Sequence, residues 1–197
     1  MVGFSCTSLN IETSLTCARK LKEDIGCIVF AGGIHITLCT QQVMAEGVFD
    51  FLLSGEGEEI FDLALSTINE SGLAGLNGVK RRGIWLKNGI DNNGVAVLSD
   101  IDQPTIDRSI LDLNMYRNKG ALLDETPCYS LFSSRGCPFA CKFCSKPAYF
   151  KNYRQQQIES YRMSRYLVRS GNHSTEMEQV DKQGAHREKG RQILCRL

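Results

Sequence analysis

Three cysteines are clustered in the stretch "SRGCPFACKFCSKP", which covers residues 134–147. They are Cys137, Cys141 and Cys144, and their spacing is Cys-x3-Cys-x2-Cys. Three thiolates can bind a four-iron, four-sulfur cluster and leave one iron without a protein ligand, so that a substrate or cofactor can coordinate it. Three clustered thiols without a fourth therefore fit an iron–sulfur site with one open coordination position.

Two other uses of cysteine compete with this interpretation. A structural zinc site is usually closed by a fourth ligand, and Cys128 could supply one, although it lies nine positions upstream in a predicted strand. A redox-active CxxC pair would leave the third cysteine without a role. A structural zinc protein therefore remains an alternative.

The composition excludes several classes of protein. Lys and Arg total 23 and Asp and Glu total 22 in a chain of 197 residues, and the resulting net charge of +1 predicts no nucleic-acid partner. No apolar run approaches the roughly 20 residues that cross a bilayer, and the N-terminus lacks the charged region of a signal peptide. We therefore expect a cytoplasmic protein with no membrane span.

Nine cysteines are many for this length, and the odd number disfavours a secreted disulfide framework. Four of them lie in or beside apolar segments, where a thiol most often acts as a small buried hydrophobic group. The sequence therefore predicts buried side chains at Cys6, Cys17, Cys27 and Cys39.

Strand-like and helical patterns alternate three times before the cysteine cluster. The strand-like runs are "VGFSC", "CIVFA" and "FDFLL", at residues 2–6, 27–31 and 49–53. Apolar residues that recur every three or four positions predict helices over 11–25 and 58–69, and a further helix is predicted over about 38–45. This order predicts an α/β fold with a parallel sheet covered by helices.

Small, polar or glycine-rich loops follow the three strands, at residues 5–8, 31–35 and 54–58. Ligands of parallel sheets bind at the carboxyl ends of the strands, where glycine allows close approach and a helix start offers N–H groups. A single strand-to-helix turn needs a glycine and a cap in any case, but three such loops at one edge favour a binding site. None of them reads GxGxxG or GxxxxGKS/T, so a dinucleotide or nucleoside triphosphate is not indicated.

The same loops resemble the cobalamin-binding Rossmann-like domain that precedes many radical S-adenosylmethionine (radical SAM) enzymes. Its hydroxyl-rich loop, GGxHxT turn and GEGE turn correspond to residues 5–7, 32–37 and 55–58. The resemblance implies a partial, flavodoxin-like parallel sheet and a cobalamin site that includes Ser5, Thr7, Gly32, Gly33, His35, Gly55, Glu56 and Gly57. A helix-capping or loop-packing role fits His35 equally well.

The cysteine loop resembles the signature of the radical SAM superfamily, since Arg135-Gly136 precedes it and an aromatic residue, Phe143, precedes its last cysteine. The resemblance implies that Cys137, Cys141 and Cys144 hold a 4Fe-4S cluster. S-adenosylmethionine would chelate the open iron, with Phe143 in contact with the adenine. Reduction by an electron donor would then yield a 5′-deoxyadenosyl radical, which abstracts hydrogen from an unactivated C–H bond.

In the cobalamin-dependent branch of this superfamily, methylcobalamin commonly delivers a methyl group to the carbon radical, and some relatives catalyse ring formation or rearrangement. The resemblance therefore implies radical methyl transfer to an unactivated carbon of a small-molecule substrate, which the sequence does not identify. No catalytic residue is assigned. A cobalamin-binding module with a vestigial cysteine loop is a second interpretation.

The motifs divide the chain into four segments: a cobalamin-binding domain (1–70), a connecting segment (71–127), the first unit of a radical SAM partial (β/α) barrel (128–169) and a polar, disordered tail (170–197). Turn signals at 88–94 predict a β-hairpin in the connecting segment, and composition predicts a helix over 153–168. An upstream strand and most of the barrel are missing from this pattern. We therefore expect a chain that is truncated at both ends.

Overall fold

The computed structural model describes the chain over residues 1–87, 94–101, 130–132, 134–137, 139, 141–145, 161–163 and 194–196. Its internal contacts divide the chain into two units. The first unit comprises Met1–Ser99 and Phe139–Glu159, and the second comprises Asp100–Pro138 and Ser160–Leu197.

A four-stranded sheet organises the first unit. Its strands lie in the order β1 (Val2–Ser5), β2 (Val29–Gly32), β3 (Phe51–Leu53) and β4 (Ile84–Leu86). β1, β2 and β3 are parallel, whereas β4 runs antiparallel to β3. The predicted α/β fold is confirmed, and the sheet is mostly parallel, since only β4 departs from the predicted parallel order. The identification of this fold as a cobalamin domain stays a prediction.

The helices of the first unit are α1 (Ile11–Ile25), α2 (Ile34–Ala45), α3 (Gly57–Ser71) and a short 3-10 helix (Leu73–Gly78). α1 and α3 confirm the predicted helices. α2 begins before the predicted Leu38, because Gly33, with φ of 101°, turns the chain directly from β2 into the helix. None of the helices among the described residues is long and apolar enough to cross a membrane.

α1 and α2 cover one face of the sheet, and α3 covers the other. Side chains alternate between the two faces along a strand, so Leu52 of β3 packs with the first pair of helices and Phe51 packs with α3. The apolar residues whose spacing predicted α1 are buried from Ile11 to Ala18. Ile25, at the end of the helix, is exposed. The predicted inner face of α3 is confirmed at Ile60, Leu63, Ala64 and Ile68.

The cysteines of the first unit differ in burial. Cys6 is buried, as predicted, whereas Cys17 is exposed and its predicted burial is wrong. Cys17 lies two positions after the buried Leu15, and residues two apart on a helix point in different directions. Cys27 and Cys39 are half-buried and pack against the edge of the core.

Part of the predicted connecting segment packs with the sheet. β4 lies beside β3, and beyond the end of β3 the Ala96 N–H donates to Ser54 O at 2.8 Å while the Glu56 N–H donates to Ala96 O at 2.9 Å. The first compact unit accordingly extends to Ser99, past the predicted boundary at residue 70. The turn of the predicted hairpin, at 88–93, lies outside the described residues.

Four short strands are described in the second unit. β5 (Ser130–Phe132) pairs in parallel with β8 (Leu194–Arg196), and β6 (Ser134–Gly136) pairs antiparallel with β7 (Tyr161–Met163). The strand predicted to lead into the cysteine loop is therefore confirmed in its described residues. The partial barrel stays a prediction.

Two predictions for the C-terminal part of the chain are wrong over short stretches. Tyr161–Met163 is a strand, although a helix was predicted over 153–168; its Tyr-Arg-Met sequence alternates apolar and charged residues, as a strand does. Leu194–Arg196 is also a strand, although the tail was predicted to be disordered. This stretch is more apolar than the rest of the tail, and it pairs with β5. The other residues of both segments lie outside the described ranges.

Candidate cofactor-binding site

Three loops follow the parallel strands at the carboxyl edge of the sheet: loop 1 (residues 5–10), loop 2 (residues 32–35) and loop 3 (residues 54–57). Loops 1 and 2 are joined because the Cys6 N–H donates to Gly32 O at 2.8 Å and the His35 N–H donates to Cys6 O at 3.0 Å. The Ser8 hydroxyl and His35 Nδ1 also form a hydrogen bond of 2.9 Å. His35 therefore has a loop-packing role in the structure, and its contact with a ligand stays a prediction.

The side chain of Asn10, the last residue of loop 1, makes two hydrogen bonds to the backbone of the same loop. Its Oδ1 accepts the Thr7 N–H at 2.7 Å, and its Nδ2 donates to Ser5 O at 3.2 Å. These bonds hold the exposed Ser5 and Thr7 side chains on one turn just before α1. Asn10 was not predicted as a site residue, although asparagine directly before a helix is a common capping residue and that signal could have identified the position. Its side chain bonds to loop 1 and makes no hydrogen bond that caps α1.

Thr37 connects loops 2 and 3 from the first turn of α2. Its hydroxyl donates to Gly33 O at 3.0 Å and accepts the Gly55 N–H at 3.0 Å. The residue is the last position of the GGxHxT motif, and no role was predicted for it. The motif itself is the signal that could have identified it.

The glycines at this edge of the sheet differ in the space that is available for an added Cβ. A Cβ at Gly33 would lie 2.8 Å from Cys6 O, and one at Gly55 would lie 2.2 Å from Ala96 O. Both residues have positive φ, so packing of the chain against itself already requires glycine there. A Cβ at Gly57 would meet nothing within 4 Å, and one at Gly32 would make only ordinary contacts. Gly32 and Gly57 are therefore the positions at which a ligand could occupy the space that a side chain would otherwise fill.

Two carboxylates, Glu56 in loop 3 and Glu59 in the first turn of α3, bind the segment that contains Ala96. Glu56 Oε2 accepts the Leu98 N–H at 2.6 Å, and Glu59 accepts hydrogen bonds from the Ser99 backbone, the Ser99 hydroxyl and Arg81. The Ser99 hydroxyl is the main cause of a lowered pKa of Glu59, below the ordinary value of 4.5. Glu59 is therefore ionised at neutral pH, and Glu56 has an intramolecular contact beside its predicted contact with cobalamin.

Cys6 differs chemically from its neighbours in loop 1. Burial raises the pKa of its thiol, although a hydrogen bond with Ser14 acts in the opposite direction. A thiol with a raised pKa is neutral at physiological pH, and neutral thiols are poor nucleophiles and metal ligands. Cys6 is therefore a packing residue of the core.

The cysteine loop begins directly after β6. Cys137 and Cys144 are half-buried, and Cys141 is exposed. The Cys144 N–H donates to Cys141 O at 3.1 Å, which closes a turn over the last two cysteines. Phe143 lies within this turn and is 93% exposed.

Among the residues that the structure describes, no group of three or more His, Cys, Asp or Glu side chains is close enough to hold a metal ion. Cys137, Cys141 and Cys144 as cluster ligands, and Phe143 as an S-adenosylmethionine contact, therefore stay predictions.

Several characterised proteins are similar to this chain over most of its length. It is 30% identical over 152 residues to the anaerobic magnesium-protoporphyrin IX monomethyl ester cyclase of Rubrivivax gelatinosus (73% of this chain, 26% of the relative). It is 30% identical over 165 residues to the hopanoid C-3 methylase of Methylococcus capsulatus (78% and 30%). It is 24% identical over 157 residues to the bacteriochlorophyllide d C-8(2)-methyltransferase of Chlorobaculum tepidum (79% and 30%).

The chain spans less than a third of the length of each of these curated relatives. No family model and no solved structure matches it. Similarity to a cyclase and to two methylating enzymes agrees with the two sets of motifs, at the sheet edge and in the cysteine loop. The names of these enzymes agree with the cobalamin-binding-domain radical S-adenosylmethionine family that the motifs resemble.

Proposed function

We propose that this chain carries the cofactor-binding parts of a cobalamin-dependent radical SAM enzyme, and that the reaction is methyl transfer to an unactivated carbon. The observation that carries the proposal is the three-cysteine loop directly after a strand, in a chain whose parallel sheet gathers three motif-bearing loops at one edge. Two of the relatives are named for methylation, which favours methyl transfer over the ring formation that the name of the third implies.

The donor set of the cysteine loop fits a 4Fe-4S cluster with one open iron. Cys137, Cys141 and Cys144 supply three thiolates, and the exposed Phe143 is available to the adenine of S-adenosylmethionine. When bound, the cluster and S-adenosylmethionine supply a 5′-deoxyadenosyl radical that takes hydrogen from a C–H bond. The role of this chain's own residues is to hold the cluster and to leave its fourth position open.

The sheet edge fits a large ligand that has both polar and apolar groups, as cobalamin has. The exposed residues Ser5 and Thr7 carry hydroxyls on loop 1, and exposed apolar side chains lie on loops 1 and 2 at Leu9 and Ile34. Open space at Gly57 allows a ligand to approach the start of α3 closely. We therefore assign the cobalamin contacts to the three loops of this edge.

The experiment that tests the proposal is formation of 5′-deoxyadenosine by the anaerobically reconstituted full chain with S-adenosylmethionine, cobalamin and a chemical reductant. We expect S-adenosylmethionine to be cleaved to 5′-deoxyadenosine only when the iron–sulfur cluster is present. Bound cobalamin without an iron–sulfur cluster would contradict the proposal in favour of a binding module. Stoichiometric zinc without iron would contradict it in favour of a structural zinc protein.

Gly57→Ala is expected to weaken cobalamin binding about tenfold without lowering stability. The added Cβ would occupy the space that we assign to the ligand, and it meets no atom of the chain within 4 Å. Because Ala favours the helical conformation over Gly, the thermal midpoint should stay the same or rise. Absorbance titration with hydroxocobalamin and thermal unfolding measure the two effects.

Gly78→Ala is the matched control for this prediction. Gly78 also has open space around its missing Cβ and no positive φ, and it lies at the end of the 3-10 helix. We expect this variant to bind hydroxocobalamin as the wild type does. Equal affinities of the wild type and Gly57→Ala would remove loop 3 from the cobalamin site.

A further inference from the structure

Thr37 is a buried polar residue with bonds to two different loops. Its side chain belongs to the first turn of α2, and the residue is only 4% exposed. The hydroxyl hydrogen is donated to Gly33 O in loop 2, and the hydroxyl oxygen accepts the Gly55 N–H of loop 3. One hydroxyl group therefore fixes the distance between these two loops.

The connection made by Thr37 continues into loop 1. Loop 2 is bonded to loop 1 through Cys6, whose carbonyl oxygen accepts the His35 N–H. Through Thr37 and Cys6, the three loops at the edge of the sheet form one hydrogen-bonded set. Loss of the Thr37 hydroxyl would leave loops 1 and 2 joined and would break the bond that ties the Gly55 N–H of loop 3 to α2. The longer bond of 3.4 Å between Thr40 and Ser54 would remain.

Loss of the bond to Thr37 also carries an energetic cost at Gly55. This residue is half-buried and tightly packed against Ala96, so its N–H is poorly placed to exchange the hydroxyl for water. A backbone N–H that loses its partner in such a place destabilises the conformation that requires it. Loop 3 would then shift to expose or rebond this group.

We propose that Thr37 is a positioning residue for cobalamin: its hydroxyl holds loop 3 at the distance from loop 2 at which both can contact the cofactor. Thr37 itself lies beneath the loops and does not touch the ligand. This inference rests on the proposed binding of cobalamin at the sheet edge.

Thr37→Val tests the role because valine keeps the branched shape and removes the hydroxyl. We expect about a tenfold loss of affinity for hydroxocobalamin, the size of effect that one lost hydrogen bond can produce. Hydrogen exchange of the Gly55 amide should become faster in this variant. Thr37→Ser restores a hydroxyl at the same position and is expected to recover both the affinity and the protection of Gly55.

Thr40→Val is the matched control, since Thr40 lies one turn further along α2 and is also buried, at 7% exposure. Its hydroxyl donates to Ile36 O at 2.6 Å across the kink that Cys39 makes in α2, and it lies 3.4 Å from the Ser54 hydroxyl of loop 3. The same substitution there removes a buried hydroxyl without removing the bond to the Gly55 N–H. We expect Thr40→Val to retain the affinity of the wild type for hydroxocobalamin.

The outcomes separate the inference from the function on which it rests. Equal affinities of the wild type and Thr37→Val for hydroxocobalamin would overturn the role of Thr37 without contradicting the cobalamin site. Equal losses in the Thr37→Val and Thr40→Val variants would show a general effect of core polarity and would also overturn it. A wild-type chain that binds no hydroxocobalamin would overturn both proposals. If Thr37→Val does not fold, Thr37→Ala carries the same expectation, with Thr40→Ala as its control.

Discussion

Replacing Cys141 with alanine is expected to abolish assembly of the iron–sulfur cluster while the sheet of the first unit stays folded. Three thiolates are the fewest that hold a four-iron cluster with one open position, so two cannot retain it. Cys141 is exposed in the structure, and its side chain therefore contributes little to the packing of the chain. Iron and sulfide analysis after anaerobic reconstitution, with the absorption spectrum and circular dichroism, measures both parts of the prediction.

Cys17→Ala is the matched control, because Cys17 is an exposed cysteine on α1, outside the cysteine loop. This variant should assemble the same amount of cluster as the wild type. A full four-iron spectrum in Cys141→Ala would show that our assignment of the ligands is wrong. A loss of cluster in both variants would point to a general effect of reconstitution rather than to the ligands.

Gly55→Ala is expected to lower the free energy of unfolding by about 3 kcal/mol or more, the largest stability effect that the structure predicts. The new Cβ would lie 2.2 Å from Ala96 O and 2.6 Å from Ala96 N, and both are backbone atoms that cannot move away as a side chain could. The residue also has φ of 99°, which disfavours any residue with a Cβ. Urea unfolding monitored by circular dichroism measures the difference in free energy of unfolding between the wild type and the variant.

Gly26→Ala separates the two causes of this destabilisation. Gly26 ends α1 with φ of 68°, and a Cβ there would meet nothing within 4 Å. Its substitution carries only the conformational cost, about 1 kcal/mol. A similar loss of stability in the two variants would contradict the close contact between Gly55 and Ala96.

Regular parts of the fold could be predicted because their signals are local. Apolar residues every three or four positions gave α1 and α3, and short β-branched and aromatic runs gave β1, β2 and β3. The strand Tyr161–Met163 was missed because its pairing partner lies far along the chain, and local composition favoured a helix. Long-range pairing has no local signal, and for that reason Ala96 was also assigned to a connecting segment instead of to the edge of the sheet.

The candidate site could be predicted as a set of loops but not as a set of contacts. The motifs identified the loops, since parallel strands place their carboxyl ends at one edge. They did not distinguish Gly33 and Gly55, which the chain's own packing requires, from Gly57, which faces open space. Nor did they give a role to Thr37 or Asn10, because the partners of these side chains become neighbours only in the folded chain.

Electron paramagnetic resonance of the reconstituted, reduced full chain, with and without S-adenosylmethionine, is the most direct test of the central claim that the cysteine loop holds a cluster with an open iron. We predict the signal of a reduced four-iron cluster and a change in that signal when S-adenosylmethionine is added, because the added ligand coordinates the open iron. A signal that is insensitive to S-adenosylmethionine, or a protein that binds zinc or no metal, would contradict the claim.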